Sequence, residues 1–198
     1  MKKSWWRAKG DLDNERRQFV ESGDVDKTAL IGPPGSGKTN LLLLRAELLA
    51  LRGEPDVLFI TYTKTLAKFI RTGVRLKGHI SPKKIKTYHS WALGYIFDQT
   101  GEWLFPKGHD FNEQDRAVCV ERLRSVNDSL SSKKMYGAIF VDEAQDLNVE
   151  ELQCLLCLSD RVCIAGDVNQ SIYHKNGMSI VDEMGLSAYE LKRHFRIG

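Results

Sequence analysis

The stretch Gly32-Pro33-Pro34-Gly35-Ser36-Gly37-Lys38-Thr39 constrains this chain more than any other. An apolar run, Thr28 to Ile31, leads into it, and Leu41 to Leu51 follows with helical periodicity. A strand, a glycine loop and a helix in that order form the setting in which G-x-x-x-x-G-K-[ST] binds phosphate. The glycines let backbone N–H groups turn inward around phosphate oxygens, where side chains would block the approach. Lys38 is placed to reach the β- and γ-phosphates, and the Thr39 hydroxyl to hold Mg²⁺. The helix opening near Lys38 and Asn40 adds the positive end of its dipole.

The chain has 198 residues, 42% of them hydrophobic, enough for one sizeable α/β domain and short for two. The net charge of +3 permits nucleic-acid binding without arguing for it. No apolar run approaches the ~20 residues that span a bilayer, and Met1 to Trp6 lacks a signal-peptide core. A cytoplasmic protein with reduced thiols at Cys119, Cys154, Cys157 and Cys163 is therefore expected, with no membrane partner. Cys154-x-x-Cys157 lies in an apolar helical stretch without a second ligand pair, so small buried hydrophobes explain it better than a metal site.

Along the chain, a short helix is expected over Asp13 to Val20 with Asp13 as its cap. Strands are expected at Val57–Tyr62, Ile85–Thr87, Ala138–Val141 and Arg161–Ala165. Helices are expected at Lys64–Arg71, His89–Phe97, Asn112–Arg124 and Val149–Leu158. Gly73 to Lys84 reads as a basic loop and Ser125 to Lys134 as a polar linker. Apolar strands alternating with helices predict a mostly parallel sheet covered on both faces.

Phosphate chemistry also requires acids for the metal and the water. Asp142 and Glu143 follow the strand Ala138–Val141 directly, so Asp142 would hold Mg²⁺ through water and Glu143 would orient or deprotonate the attacking water. Gly166-Asp167-Val168-Asn169-Gln170 follows the next strand, and Gln170 would report on a γ-phosphate. Ligands of open parallel sheets bind at these carboxyl ends.

Taken together, the motifs resemble the first RecA-like motor domain of superfamily 1 DNA helicases of the UvrD/Rep type. Gly32 to Thr39 matches that family's Walker A motif, and Asp142-Glu143-Ala144-Gln145-Asp146 its Walker B string. Thr61-Tyr62-Thr63-Lys64 and Thr87-Tyr88-His89-Ser90 resemble two motifs that touch single-stranded DNA. Gly166 to Tyr173 is similar to the third motif, and Leu191 to Arg196 to the fourth, in which Arg196 would approach the γ-phosphate.

The resemblance implies a RecA-like P-loop fold over 1–198, with a small helical insertion near 90–134 and an inserted subdomain at 98–134. It implies ATP and Mg²⁺ as cofactors and single-stranded DNA, or a duplex with a single-stranded tail, as partner. Thr61, Tyr62, Lys64, Thr87, His89 and Tyr173 would be the DNA contacts. It further implies a second RecA-like domain, in cis or in trans, to complete the motor; that domain is not in this sequence. An adenine-reading Gln is expected near Leu12 to Gln18, where family spacing puts Arg16 and leaves Gln18 as the substitute. The competing readings are an ATP-dependent switch that holds nucleic acid or protein without translocation, and a small-molecule kinase. The kinase does not predict the strings at Asp142 and Gly166.

Overall fold

The computed structural model describes residues 12–22, 27–54, 56–132, 134–167 and 177–191. Six strands form one sheet: β1 (Lys27–Ile31), β2 (Val57–Thr61), β3 (Ile85–Thr87), β4 (Ala138–Val141), β5 (Val162–Gly166) and β6 (Ser187–Glu190). Their order is β3-β2-β4-β5-β1-β6, and every pairing is parallel. All strand carboxyl ends therefore lie along one edge, where the Walker segments emerge.

Alternation along the strands builds two cores. Leu58, Ile60, Ile139, Val141, Val162 and Ile164 face one side, where α4 (Tyr88–Thr100), α5 (Glu113–Ser129), α6 (Val149–Leu156) and α7 (Ile180–Glu183) pack. Val57, Phe59, Ala138, Phe140, Cys163 and Ala165 face the other, under α1 (Asn14–Glu21), α2 (Lys38–Leu51) and α3 (Lys64–Lys77). Both faces of the central strands are thus removed from water, which is why they read as continuous apolar runs. The chain has the RecA-like α/β fold: a parallel sheet between two helical layers.

Three elements differ from the sequence expectation. Helix α3 continues through Gly73 to Lys77 rather than ending at Arg71. Ile70 and Val74, one turn apart, are both buried in the second core, and that burial outweighs the ~1 kcal/mol helix cost of a glycine. Helix α5 runs to Ser129, through the segment read as a linker, because Val126 and Asn127 are buried. The Asn127 amide donates to the Cys154 carbonyl at 2.8 Å and accepts from the Tyr95 hydroxyl at 3.0 Å, tying α4, α5 and α6 together. Strand β6 was not expected at all. It is an edge strand with mostly exposed residues, so it carries no apolar run.

Other expectations are met closely. Asp13 caps α1, its side chain accepting from the Arg16 N–H at 2.9 Å. The four cysteines are free thiols; burial pushes Cys119 and Cys163 up to about 12. No helix among the described residues is long and apolar enough to cross a membrane. Trp91 is fully buried and its indole N–H donates to the Tyr136 hydroxyl at 2.9 Å. Trp103 is 64% exposed and lies stacked on Phe97 at 4.3 Å.

The second core is pinned at the β2–β4 pair, where Phe59 and Phe140 are register partners with parallel rings 6.5 Å apart. Phe140→Ala is expected to cost about 3–5 kcal/mol of unfolding free energy. Urea denaturation followed by circular dichroism reads the loss.

Candidate functional site

The P-loop leaves β1 at Ile31 and enters α2 at Lys38. Gly35 and Gly37 have φ of 73° and 91°, the left-handed region that non-glycine residues avoid. Gly37 is the cap of α2 and supplies no side-chain acceptor, so the first N–H groups of the helix remain open to an anion. Lys38 is 8% exposed, and its ammonium donates to the carbonyls of Gly32 at 2.7 Å and Pro33 at 3.1 Å. The lysine is held across its own loop, over the place where phosphate oxygens would sit. The buried Ser36 hydroxyl and the Asn40 side-chain oxygen have no partner.

Asp142 ends β4, and its N–H donates to the Ile60 carbonyl at 2.8 Å, which fixes its backbone to the sheet. Its side chain is 1% exposed. Burial raises its pKa from 3.8 to about 7, while the Thr39 hydroxyl, the Glu143 backbone and the Lys38 ammonium pull it partway back. Neither carboxylate oxygen completes a well-formed hydrogen bond. A buried carboxylate left short of partners beside a threonine hydroxyl is the donor set a hard divalent cation takes. Thr39 and Asp142 therefore fit Mg²⁺. The geometry brings Lys38, Thr39 and Asp142 together, as the sequence spacing required.

Glu143 sits at φ 55° and ψ 45°, a left-handed conformation rare for a side-chain-bearing residue. Its carboxylate accepts from the Gln145 amide at 2.6 Å. The Gln145 oxygen in turn accepts from the Asp167 N–H at 3.2 Å, linking the tip of β4 to the tip of β5. A side chain on Gly166 would meet the Gln145 oxygen at 2.8 Å and the Met178 sulfur at 2.4 Å, so glycine leaves room for this bridge. In the sequence Gln145 stands within the Walker B string with no role of its own; the bridge between strand tips is visible only in the fold.

The residues expected to touch nucleic acid divide by exposure. Tyr62 and His89 are half-buried with rings 6.1 Å apart, and Lys64 is exposed. Thr61 is wholly buried, and Thr87 is buried with its hydroxyl accepting from the Ser90 N–H at 3.3 Å as the cap of α4. The two threonines are register partners at the ends of β2 and β3, and the buried Thr61 hydroxyl finds no hydrogen-bond partner among the described residues. Gln18 is exposed, whereas Arg16 is buried and ion-paired with Asp13. Gln170, Tyr173 and Arg196 lie outside the described residues.

A glycine loop after one parallel strand and an acidic pair after another define a P-loop nucleotide-binding domain. The family model described as an AAA domain matches residues 19–176, and the chain belongs to that family. No curated protein matches the sequence significantly. Among solved structures, the Pif1 helicase from Candida albicans superposes with a TM-score of 0.55 at 16% identity, over 93% of this chain and 40% of that one. Bacteroides Pif1 bound to ssDNA gives 0.45 at 18% identity, over 93% and 42%. The Pyrococcus furiosus Hef helicase domain gives 0.46 at 15% identity, over 90% and 37%. The chain thus spans well under two thirds of these structures, and the likeness to the Candida albicans protein is one of fold.

Asp142→Asn removes the buried charge while keeping the shape. The native carboxyl binds its proton more tightly than the unfolded one, so the charge burdens the fold as pH rises from about 4 through 7 and fully above that. The variant is expected to melt higher than the parent without ligand, by up to about 4 kcal/mol at pH 8 and by little near pH 4. It should also lose the extra stabilisation that Mg²⁺ adds to bound ATP. Thermal melts across pH, with and without Mg²⁺·ATP, check both halves.

Proposed function

We propose that the chain is the ATP-binding motor domain of a superfamily 1 helicase, of the type to which the UvrD/Rep motifs point. The observation that carries this reading is the underpartnered Asp142 carboxylate beside Thr39 and Lys38 at the mouth of the P-loop. On nucleotide binding, the Lys38 ammonium exchanges the Gly32 and Pro33 carbonyls for phosphate oxygens. Thr39 and Asp142 would hold Mg²⁺, which would supply neutralisation of phosphate charge. Glu143 orients the attacking water and takes its proton, its carboxylate steadied by Gln145.

Tyr62 and His89 offer ring faces to the bases of a single strand, and Lys64 a cation to its phosphates. Gln170 and Arg196 are assigned by motif alone to the γ-phosphate. A second RecA-like domain completes the cleft and supplies the arginine finger, a contribution of roughly 10³–10⁵ in turnover. Without it, the domain binds ATP·Mg²⁺ and turns it over slowly.

Lys38→Ala is expected to weaken ATP·Mg²⁺ at least about tenfold by calorimetry, since it removes the one cation the loop holds over the phosphates. Unchanged affinity would overturn the assignment. Turnover stimulated by oligo-dT would favour the motor over a nucleotide-gated switch; tight nucleotide binding indifferent to oligo-dT would favour the switch.

A further inference from the structure

Helix α5, which belongs to neither Walker segment, carries a buried charge into the space between the two candidate sites. Arg116 is 4% exposed, and its guanidinium pairs with Glu151 of α6, itself 1% exposed. The same Nη2 lies 3.4 Å from the carbonyl of Asp146, the last residue of the Walker B string. Glu151 also accepts from the Asn148 N–H at 2.8 Å and so closes the start of α6. One guanidinium thus grips the far end of the turn that carries Asp142 and Glu143.

Tyr62 and Tyr88 both lie near Arg116, and Tyr88 lies near Glu151 as well. Tyr88 and His89 have ring centroids 5.6 Å apart, and His89 packs on Phe111 at 4.3 Å, immediately before the cap of α5. A stacked base that displaces His89 would therefore press on Phe111 and on the start of α5, the helix that carries Arg116.

The pair is poorly explained by stability alone. Two buried opposite charges give back much of their attraction in lost hydration, and an apolar pair of similar volume serves as well. The network is also incompletely satisfied: the Tyr88 hydroxyl and Arg116 Nε have no hydrogen-bond partner among the described residues, and a Glu113 carboxylate oxygen stands 3.8 Å from Nε. A network with unmet donors has room for a second arrangement in which they are met.

We propose that the Arg116–Glu151 pair is the link through which a single strand on the Tyr62–His89 wall and a nucleotide in the P-loop change each other's affinity. The proposal rests on the nucleotide and nucleic-acid reading above. Arg116 is a positioning residue here, touching neither ligand. By linkage, the effect is the same in both directions.

The test measures dissociation constants of a fluorescent non-hydrolysable ATP analogue with Mg²⁺, with and without saturating oligo-dT, and of oligo-dT with and without the analogue. The parent is expected to show reciprocal coupling of at least about fivefold. Arg116→Met combined with Glu151→Leu keeps the volume and removes both charges; it should bind each ligand alone within about twofold of the parent and show no coupling. A merely structural role would weaken single-ligand binding or melting temperature and leave the ratio intact. If the double variant does not fold, Arg116→Lys decides, since it keeps the charge but not the fork that reaches Asp146. Coupling that survives in the folded variant, or is missing in a parent that binds both ligands, overturns the proposal. A parent that binds neither ligand overturns the functional reading beneath it instead.

Discussion

A carboxylate buried at the tip of β4 is the constraint on which the site depends. Asp142 is buried at the carboxyl end of β4, and among the described residues its oxygens complete no well-formed hydrogen bond. Such a group is costly to keep unless a ligand repays it. Its neighbours, the Thr39 hydroxyl and the Lys38 ammonium, come from the helix that follows β1, although β5 lies between β1 and β4 in the sheet. Parallel pairing puts both strand tips on one edge, and the start of α2 reaches across the gap. The glycines of the loop, the cap without a side chain and the lysine folded over its own carbonyls all serve that convergence.

Around this centre, the fold spends its side-chain hydrogen bonds on joining strand tips. Gln145 connects Glu143 to the end of β5, and Gly166 keeps that connection free of steric conflict. The left-handed backbone at Glu143 turns its carboxylate toward Gln145. On the opposite helical layer, Arg116 and Asn127 of α5 fasten the Walker B turn and α6 to the wall formed by α4. Helix α5 is therefore packed into the same core as the sheet, through Cys119, Val120, Leu123 and Val126.

Much of this was legible because the central strands are buried on both faces. Residues 57–60 and Ala138–Val141 carry uninterrupted apolar side chains, and a polar residue, Thr61 or Asp142, follows each run directly. Where burial is one-sided, the signal fades. Strand β6 has one neighbour and exposed residues, so Ser187 to Glu190 looks like any polar stretch. Helix α3 was cut short at a glycine that Ile70 and Val74 override, and α5 at a serine-rich tail whose Asn127 is a buried connector. Thr61 and Thr87 carry motif positions, yet both are buried, which no linear spacing displays.

The sequence by itself determined the glycine loop after β1, the acid after β4 and the parallel α/β class, because each rests on local chemistry: backbone freedom at glycines, a charge at a strand end, the period of apolar residues. Only the tertiary structure decided which polar groups answer one another. Gln145 bridging two strand tips, Arg116 gripping the Walker B turn and Arg16 turned onto Asp13 rather than outward with Gln18 are pairings between side chains that folding brings together. Their partners are chosen by burial, which depends on the whole chain at once.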